Sequence, residues 1–139
     1  MIYSQVLATG SGIPERVVPN DFFNYLVEDA DKWIFSRTGM RERRFAGPDE
    51  STSDLATIAA RNALEYGNID PAELDCIIVG TSTADMILPS AACMVQKNIG
   101  AVNAFAFDMN AVCSSYLVRD GTSCRVVVLG VIAIHAPSR

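Results

Sequence analysis

The sequence is poor in the residues that mark metal-binding, secreted or membrane proteins. It has one histidine and four cysteines, and no two cysteines form a Cys-x-x-Cys pair. This pattern predicts reduced thiols and no metal site, since zinc sites and disulfide frameworks have closer cysteine spacing. No stretch approaches the roughly 20 apolar residues of a membrane-spanning helix, and we recognise no signal peptide. We therefore expect a cytoplasmic protein that does not bind a membrane.

Positive charge is also scarce. Eleven Lys and Arg residues face 16 Asp and Glu residues, which gives a formal net charge of −5. An acidic chain of this kind is a poor partner for nucleic acid. Hydrophobic residues make up 50% of the 139 residues, which predicts one globular domain with a buried core.

Strand and helix patterns alternate along the chain, which predicts an α/β fold around a sheet that is buried on both faces. Apolar runs predict strands over 2–9, 76–80, 104–107 and 125–134. Capping residues and helical periodicity predict helices over 20–27, 31–38, 51–66 and 90–99, with a short turn at 70–73.

The stretch from Ala104 to Leu117, AFAFDMNAVCSSYL, combines a buried strand, a polar turn and the start of a helix at Cys113. Unpaired N–H groups and the helix dipole favour negative charge at such a start, so the pattern suits a reactive thiolate. A strand that delivers a cysteine there can present a nucleophile. The alternative is a structural cysteine, because free cysteines are among the most buried residues.

Basic residues are concentrated in the segment 37–45, RTGMRERRF. In an acidic protein this concentration predicts a surface that holds phosphates or an acidic partner through guanidinium contacts. The alternative is a solvated face with a few surface ion pairs.

Four separated stretches resemble one enzyme family. SRTGMRERRFAGPDESTSDLA, DCIIVGTST, LPSAACMVQKNIGA and AFDMNAVCSSYL are similar, in this order, to the amino-terminal half of 3-oxoacyl-acyl-carrier-protein synthase III. The resemblance runs from about residue 2 to residue 117. It implies the thiolase fold, with residues 1–139 as an amino-terminal thiolase-like half-domain and the carboxy-terminal half absent.

The resemblance implies the chemistry of the condensing enzyme that starts type II fatty acid synthesis. An acyl group is transferred from acyl-coenzyme A to Cys113, and malonyl-acyl carrier protein then loses carbon dioxide and condenses with the acyl-enzyme. Acyl-coenzyme A is a substrate, and no permanently bound cofactor is implied. Members of the family are homodimers. The backbone N–H of Cys113 would help to stabilise the tetrahedral oxyanion.

The resemblance also implies roles for residues outside the nucleophile turn. Trp33 and Arg37 match positions whose flat side chains sandwich the adenine of coenzyme A. Leu88 falls where the family places an apolar residue that shapes the acyl pocket across the dimer interface. Ordinary packing is the alternative for Trp33 and Leu88. The segment 37–45 is a candidate contact for the acidic carrier protein.

The chain departs from the family pattern at several points. The family's catalytic His and Asn lie in the half that is absent, and His135 matches no catalytic position. After Leu117 the nucleophile helix is cut short, which makes it marginal on its own. Ser115 replaces a usual Gly, and Asp29 replaces a hydroxyl residue near the adenine. We therefore expect this chain alone to be incompetent for full turnover; the alternatives are a non-catalytic remnant that binds a full-length partner, or a related synthase with another acyl starter.

Overall fold

The computed structural model describes residues 6–111, 114–115 and 126–130 of the chain. The chain divides into two compact units. Residues 13–49 form the small unit, and residues 6–12 with the described residues from 50 to 130 form the sheet unit. Within the described ranges, none of the helices has the length and apolar character that a membrane crossing requires.

The small unit is built on a two-stranded antiparallel sheet. Strand β1, Arg16–Pro19, pairs with strand β2, Glu42–Phe45. A 3₁₀ turn, Asn20–Phe23, and helix α1, Ala30–Thr38, lie between the two strands in the chain. Helix α1 ends at Gly39, whose φ of 70° lies in the left-handed region that glycine adopts without strain.

A buried asparagine ties the elements of the small unit together. Asn20 is 1% exposed, and its amide donates to Asp31 Oδ1 and to the Met40 carbonyl, both at 2.8 Å. Its carbonyl oxygen accepts from the Arg43 guanidinium. These bonds satisfy a polar side chain that would otherwise destabilise the unit.

The sheet unit contains a three-stranded parallel sheet. Strand β3, Cys76–Gly80, lies in the centre, between β4, Phe105–Met109, and β5, Val126–Gly130. Helices α2, Thr52–Gly67, and α3, Ala91–Ile99, pack on one face of this sheet. Helix α3 is part of the crossover that a parallel β3–β4 pair requires. Buried side chains from both helices, β3 and the start of β4 form one core, which includes Leu64, Ile77, Val79, Val95 and Ala104.

The α/β prediction is confirmed, but several predicted elements differ. The predicted helix over 20–27 is wrong, because only a 3₁₀ turn forms there. Residues 6–9 form no strand, and the rest of the predicted strand 2–9 lies outside the described residues. The predicted burial of strand 104–107 is wrong for Phe105 and Phe107, which are 59% and 39% exposed. Their side chains alternate with Ala104 and Ala106, which face the core.

Helix α2 begins with a capping box. The Ser51 side chain accepts from Asp54 N, and the Asp54 carboxylate accepts from Ser51 N at 2.9 Å. The side-chain hydrogen bond with Ser51, and next the bond from the Ser51 backbone, lower the pKa of Asp54 below its ordinary value. The box satisfies N–H groups that have no partner within the helix.

We predict that Ser51→Ala lowers the free energy of unfolding by about 1 kcal/mol, as measured by urea denaturation. Because the pKa of Asp54 is lower in the folded state, its contribution is present above the unfolded pKa and is lost as the pH falls through the folded pKa. Ser51→Ala should therefore also weaken the loss of stability in acid. The exposed Ser82 offers a control, since Ser82→Ala should change the free energy by less than about 0.5 kcal/mol. Equal stability of the two variants would contradict the prediction.

Candidate active site

The four site residues predicted from the sequence fall in both units. Trp33 and Arg37 lie in α1 of the small unit, and Leu88 lies in the sheet unit in the loop that follows β3. Cys113, the predicted nucleophile, lies outside the described residues, as do Leu117 and His135. The roles assigned to these residues therefore stay predictions.

Trp33 and Arg37 contact each other across one turn of α1. The guanidinium carbon of Arg37 lies 4.2 Å from the centroid of the Trp33 ring, and Arg37 Nη1 donates to the Trp33 carbonyl at 3.3 Å. This is a cation–π pair on a side chain that is 46% exposed. A planar base between the two groups would need two contacts of about 3.5 Å each. The guanidinium must therefore move away from the indole before a base can lie between them.

The other arginines of segment 37–45 are also held within the small unit. Arg41 lies over the Phe35 ring at 4.0 Å, and Arg43 lies over the Phe23 ring at 4.8 Å. Arg44 donates to the carbonyls of residues 14 and 15 at 3.3 and 3.1 Å. The segment is thus a basic surface whose arginine side chains contact aromatic rings and backbone carbonyls. Arg37, Arg41 and Arg44 are exposed, so the binding role and the alternative of a solvated face both stay predictions.

Leu88 lies in the loop of residues 81–90, which leaves the carboxyl end of β3. It is 82% exposed, and the neighbouring Ile87 is 93% exposed. In open α/β sheets, ligands bind outside the carboxyl ends of the strands. The loop therefore presents apolar side chains at the end of the sheet where such sites form. No described residue of the chain buries Leu88.

A carboxylate at the end of β4 accepts hydrogen bonds from the start of α3. Asp108 accepts from Ala91 N at 2.9 Å and from Ala92 N at 2.8 Å. Ser115 is 4% exposed and donates to the Met109 carbonyl at 3.4 Å. These bonds hold Asp108 and Ser115, which precede and follow position 113 in the chain. The sequence reasoning missed Asp108, although an ionisable residue at the end of an apolar strand, shortly before a proposed nucleophile, was a usable signal.

The comparisons with known proteins find similarity to one group of enzymes. No family model matches the chain. It is 44% identical over 138 residues to beta-ketoacyl-[acyl-carrier-protein] synthase III of Xanthomonas oryzae pv. oryzae (strain MAFF 311018), an alignment that covers 93% of this chain and 42% of that protein. This chain is homologous to the amino-terminal half of beta-ketoacyl-[acyl-carrier-protein] synthase III.

Solved structures agree with this assignment. The crystal structure of 3-oxoacyl-[acyl-carrier-protein] synthase III from Aquifex aeolicus VF5 matches with a TM-score of 0.76 and 39% identity, over 82% of this chain and 37% of that one. The priming beta-ketosynthase from the R1128 polyketide biosynthetic pathway matches with a TM-score of 0.74 and 38% identity, over 81% of this chain and 34% of that one. The thiolase-like fold is confirmed. The chain spans less than half the length of the curated synthase III relatives that it matches.

We predict that Arg37→Gln makes Trp33 more accessible to acrylamide, because the guanidinium covers one face of the indole. The measurement is direct, since the chain contains a single tryptophan and its fluorescence reports on this site alone. Arg44→Gln is the matched control, because Arg44 contacts backbone carbonyls instead of the indole. Equal quenching of the two variants would show that Arg37 does not cover the ring in solution.

Proposed function

We propose that this chain carries out the acyl-transfer step of a 3-oxoacyl-acyl-carrier-protein synthase III, with Cys113 as the nucleophile. The observation that carries the proposal is the homology to these synthases over 93% of the chain. The position of Cys113 after β4, beyond the carboxyl end of a parallel strand, supports the same role. In this proposal, backbone N–H groups near Cys113 would stabilise its thiolate form.

In this proposal the Cys113 thiolate attacks the carbonyl carbon of acyl-coenzyme A. A sulfur–carbon bond forms, the negative charge passes to the carbonyl oxygen, and collapse of the tetrahedral species expels coenzyme A as its thiolate. Backbone N–H groups near Cys113 would stabilise the oxyanion. The acyl group then remains on the enzyme as a thioester.

The complete activity of the family would add decarboxylative condensation with malonyl-acyl carrier protein, the step that initiates type II fatty acid synthesis. The single histidine of this sequence, His135, matches no catalytic position of the family. We therefore propose that the 139 residues by themselves stop at the acyl-enzyme. A reducing cytoplasm would suit this chemistry, because it keeps a nucleophilic thiol reduced.

We predict that incubation with acetyl-coenzyme A at pH 7–8 adds one acetyl group to the chain and that this adduct maps to Cys113. Intact-mass and peptide mass spectrometry measure it. Cys113→Ala should abolish the adduct, because the attacking sulfur is lost. Cys93→Ala is the matched control and should keep it, since Cys93 is a free, partly exposed thiol outside the proposed site.

A chain that takes up no acetyl group would instead favour the second candidate, a non-catalytic remnant that binds a full-length partner. Exposed apolar side chains support this candidate, among them Phe105 at 59% and Leu88 at 82%. A related synthase with another acyl starter is a variant of the first candidate, and the similarity to the R1128 priming ketosynthase supports it. Uptake of a longer acyl group in preference to acetyl would identify that variant.

We place the nucleotide end of coenzyme A on the exposed face of Trp33 and Arg37. The indole and the guanidinium are both flat groups that stack on a purine. Asp29 lies at the start of the same helix and has no side-chain capping bond, so its carboxylate can accept from an amino group of the base.

We predict that coenzyme A changes the fluorescence of Trp33, because the base would separate the guanidinium from the indole and stack between them. Pantetheine, which lacks the nucleotide, serves as the control ligand and should leave the emission unchanged. Arg37→Ala should weaken the response by about tenfold or less, as expected for one exposed stacking partner. A response of the same size to pantetheine would place the nucleotide elsewhere.

The proposal includes two protein partners. A second copy of the chain would cover the exposed tip at Ile87 and Leu88, and β4 offers an edge of the described sheet for pairing. The acyl carrier protein, an acidic partner, would meet the ordered arginines of segment 37–45.

A further inference from the structure

One carboxylate joins the loop of residues 81–90 to the start of α2. Asp85 Oδ1 accepts from Ser53 N at 3.0 Å, and Ser53 is 1% exposed. Ser53 lies in the first turn of α2, where N–H groups lack partners within the helix and the dipole favours an anion. A backbone bond to an ionised carboxylate is stronger than one between neutral groups.

Other polar bonds hold the base of the same loop. Thr52 Oγ1 donates to the Thr83 carbonyl at 2.6 Å, and Thr83 N donates to Thr81 Oγ1 at 3.0 Å. Thr81 N donates to the Met109 carbonyl at 3.2 Å, at the end of β4. Hydrogen bonds therefore connect the first half of the loop to α2 and to the end of β4.

The tip of the loop has no comparable support. It follows Asp85 directly and consists of Met86, Ile87 and Leu88, which are 48%, 93% and 82% exposed. Apolar burial therefore contributes little to the position of these side chains within the chain. Their position depends on the polar bonds on both sides of the tip. Asp85 directly precedes the tip, and after it Ser90 caps α3 by accepting from Cys93 N.

The second carboxylate oxygen of Asp85 makes no hydrogen bond that would add to the stability of the loop. Asp85 Oδ2 is shielded from solvent and has no hydrogen-bond partner among the described residues. Such an oxygen is costly, and buried polar groups are normally paired. Local costs of this kind are tolerated where a constellation of side chains must be held in place.

We propose that Asp85 is a positioning residue for acyl specificity. Its bond to Ser53 N holds Leu88 in one place, and the place of Leu88 decides which acyl lengths the site accepts. This inference rests on the proposed function, in which Leu88 meets the acyl group. The sequence did not indicate Asp85, because its partner lies 32 residues away in the chain.

The test compares the acylation of Cys113 by acetyl-, butyryl-, hexanoyl- and octanoyl-coenzyme A in the full chain. Asp85→Ala should change the ratio of acetyl to octanoyl transfer by about tenfold, since small displacements in a site have large effects on rate. Leu88→Ala should change the same ratio. Because Asp85 acts through Leu88, the double variant should show no further change.

Two variants sharpen the comparison. Asp85→Asn keeps an oxygen that can accept from Ser53 N, so it should restore most of the original ratio. Asp70→Ala is the matched control, because Asp70 also accepts a backbone N–H, from Ala72 at 2.9 Å, but lies before β3. It should leave the ratio unchanged. If Asp85→Ala slows all four thioesters equally, Asp85 has only a structural role and the proposal is wrong.

Hydrogen exchange tests the role of Asp85 independently of whether Cys113 is acylated. In Asp85→Ala the amide of Ser53, which is bonded to Asp85 itself, and the amide of Thr83, which is bonded within the loop, should exchange about tenfold faster, as expected for the loss of one charge-assisted bond, while those of α3 keep their rates. Unchanged exchange would refute the role of Asp85 whether or not the chain is acylated. If the unaltered chain takes up no acyl group, the proposed function and the specificity role fail together, and the exchange rates still decide whether Asp85 holds the loop.

Discussion

The parallel pairing of β3 with its two neighbours is the constraint on which the sheet unit depends. Ile77 and Val79 are fully buried against the helices. In this register Gly80, the last residue of β3, lies beside the last residues of β4 and β5. This arrangement brings the loop of residues 81–90 and the turn after β4 to the same end of the sheet.

Three carboxylates accept hydrogen bonds from backbone N–H groups at the starts of two helices. Asp54 and Asp85 accept backbone N–H groups from the beginning of α2, and Asp108 does so from the beginning of α3. Each bond pairs an anion with the positive end of a helix dipole. Part of the acidic excess of the chain therefore stabilises the starts of α2 and α3.

Local signals predicted α1, α2, α3 and the central strand well. The Ser51 and Ser90 caps, with Gly100 after α3, gave the limits of α2 and α3 because capping depends on adjacent residues. The contact between Trp33 and Arg37 follows from their spacing on a helix. Long-range partners could not be predicted in this way. Asn20 was expected to cap a helix, but its side chain bonds to residues far along the chain, and the link from Asp85 to α2 has no local signature.

The position of Arg37 on Trp33 affects how a planar ligand would be bound and released. The guanidinium acts as an intramolecular competitor for the indole face. Because an exposed pair of this kind is worth about 0.5–1 kcal/mol, opening the pair for a planar ligand would lower the affinity roughly two- to fivefold relative to a guanidinium already held away from the ring. When the ligand departs, the guanidinium returns and shields the aromatic surface from unspecific stacking. In the proposed site, the same contact would lower the affinity for any planar ligand that must open it.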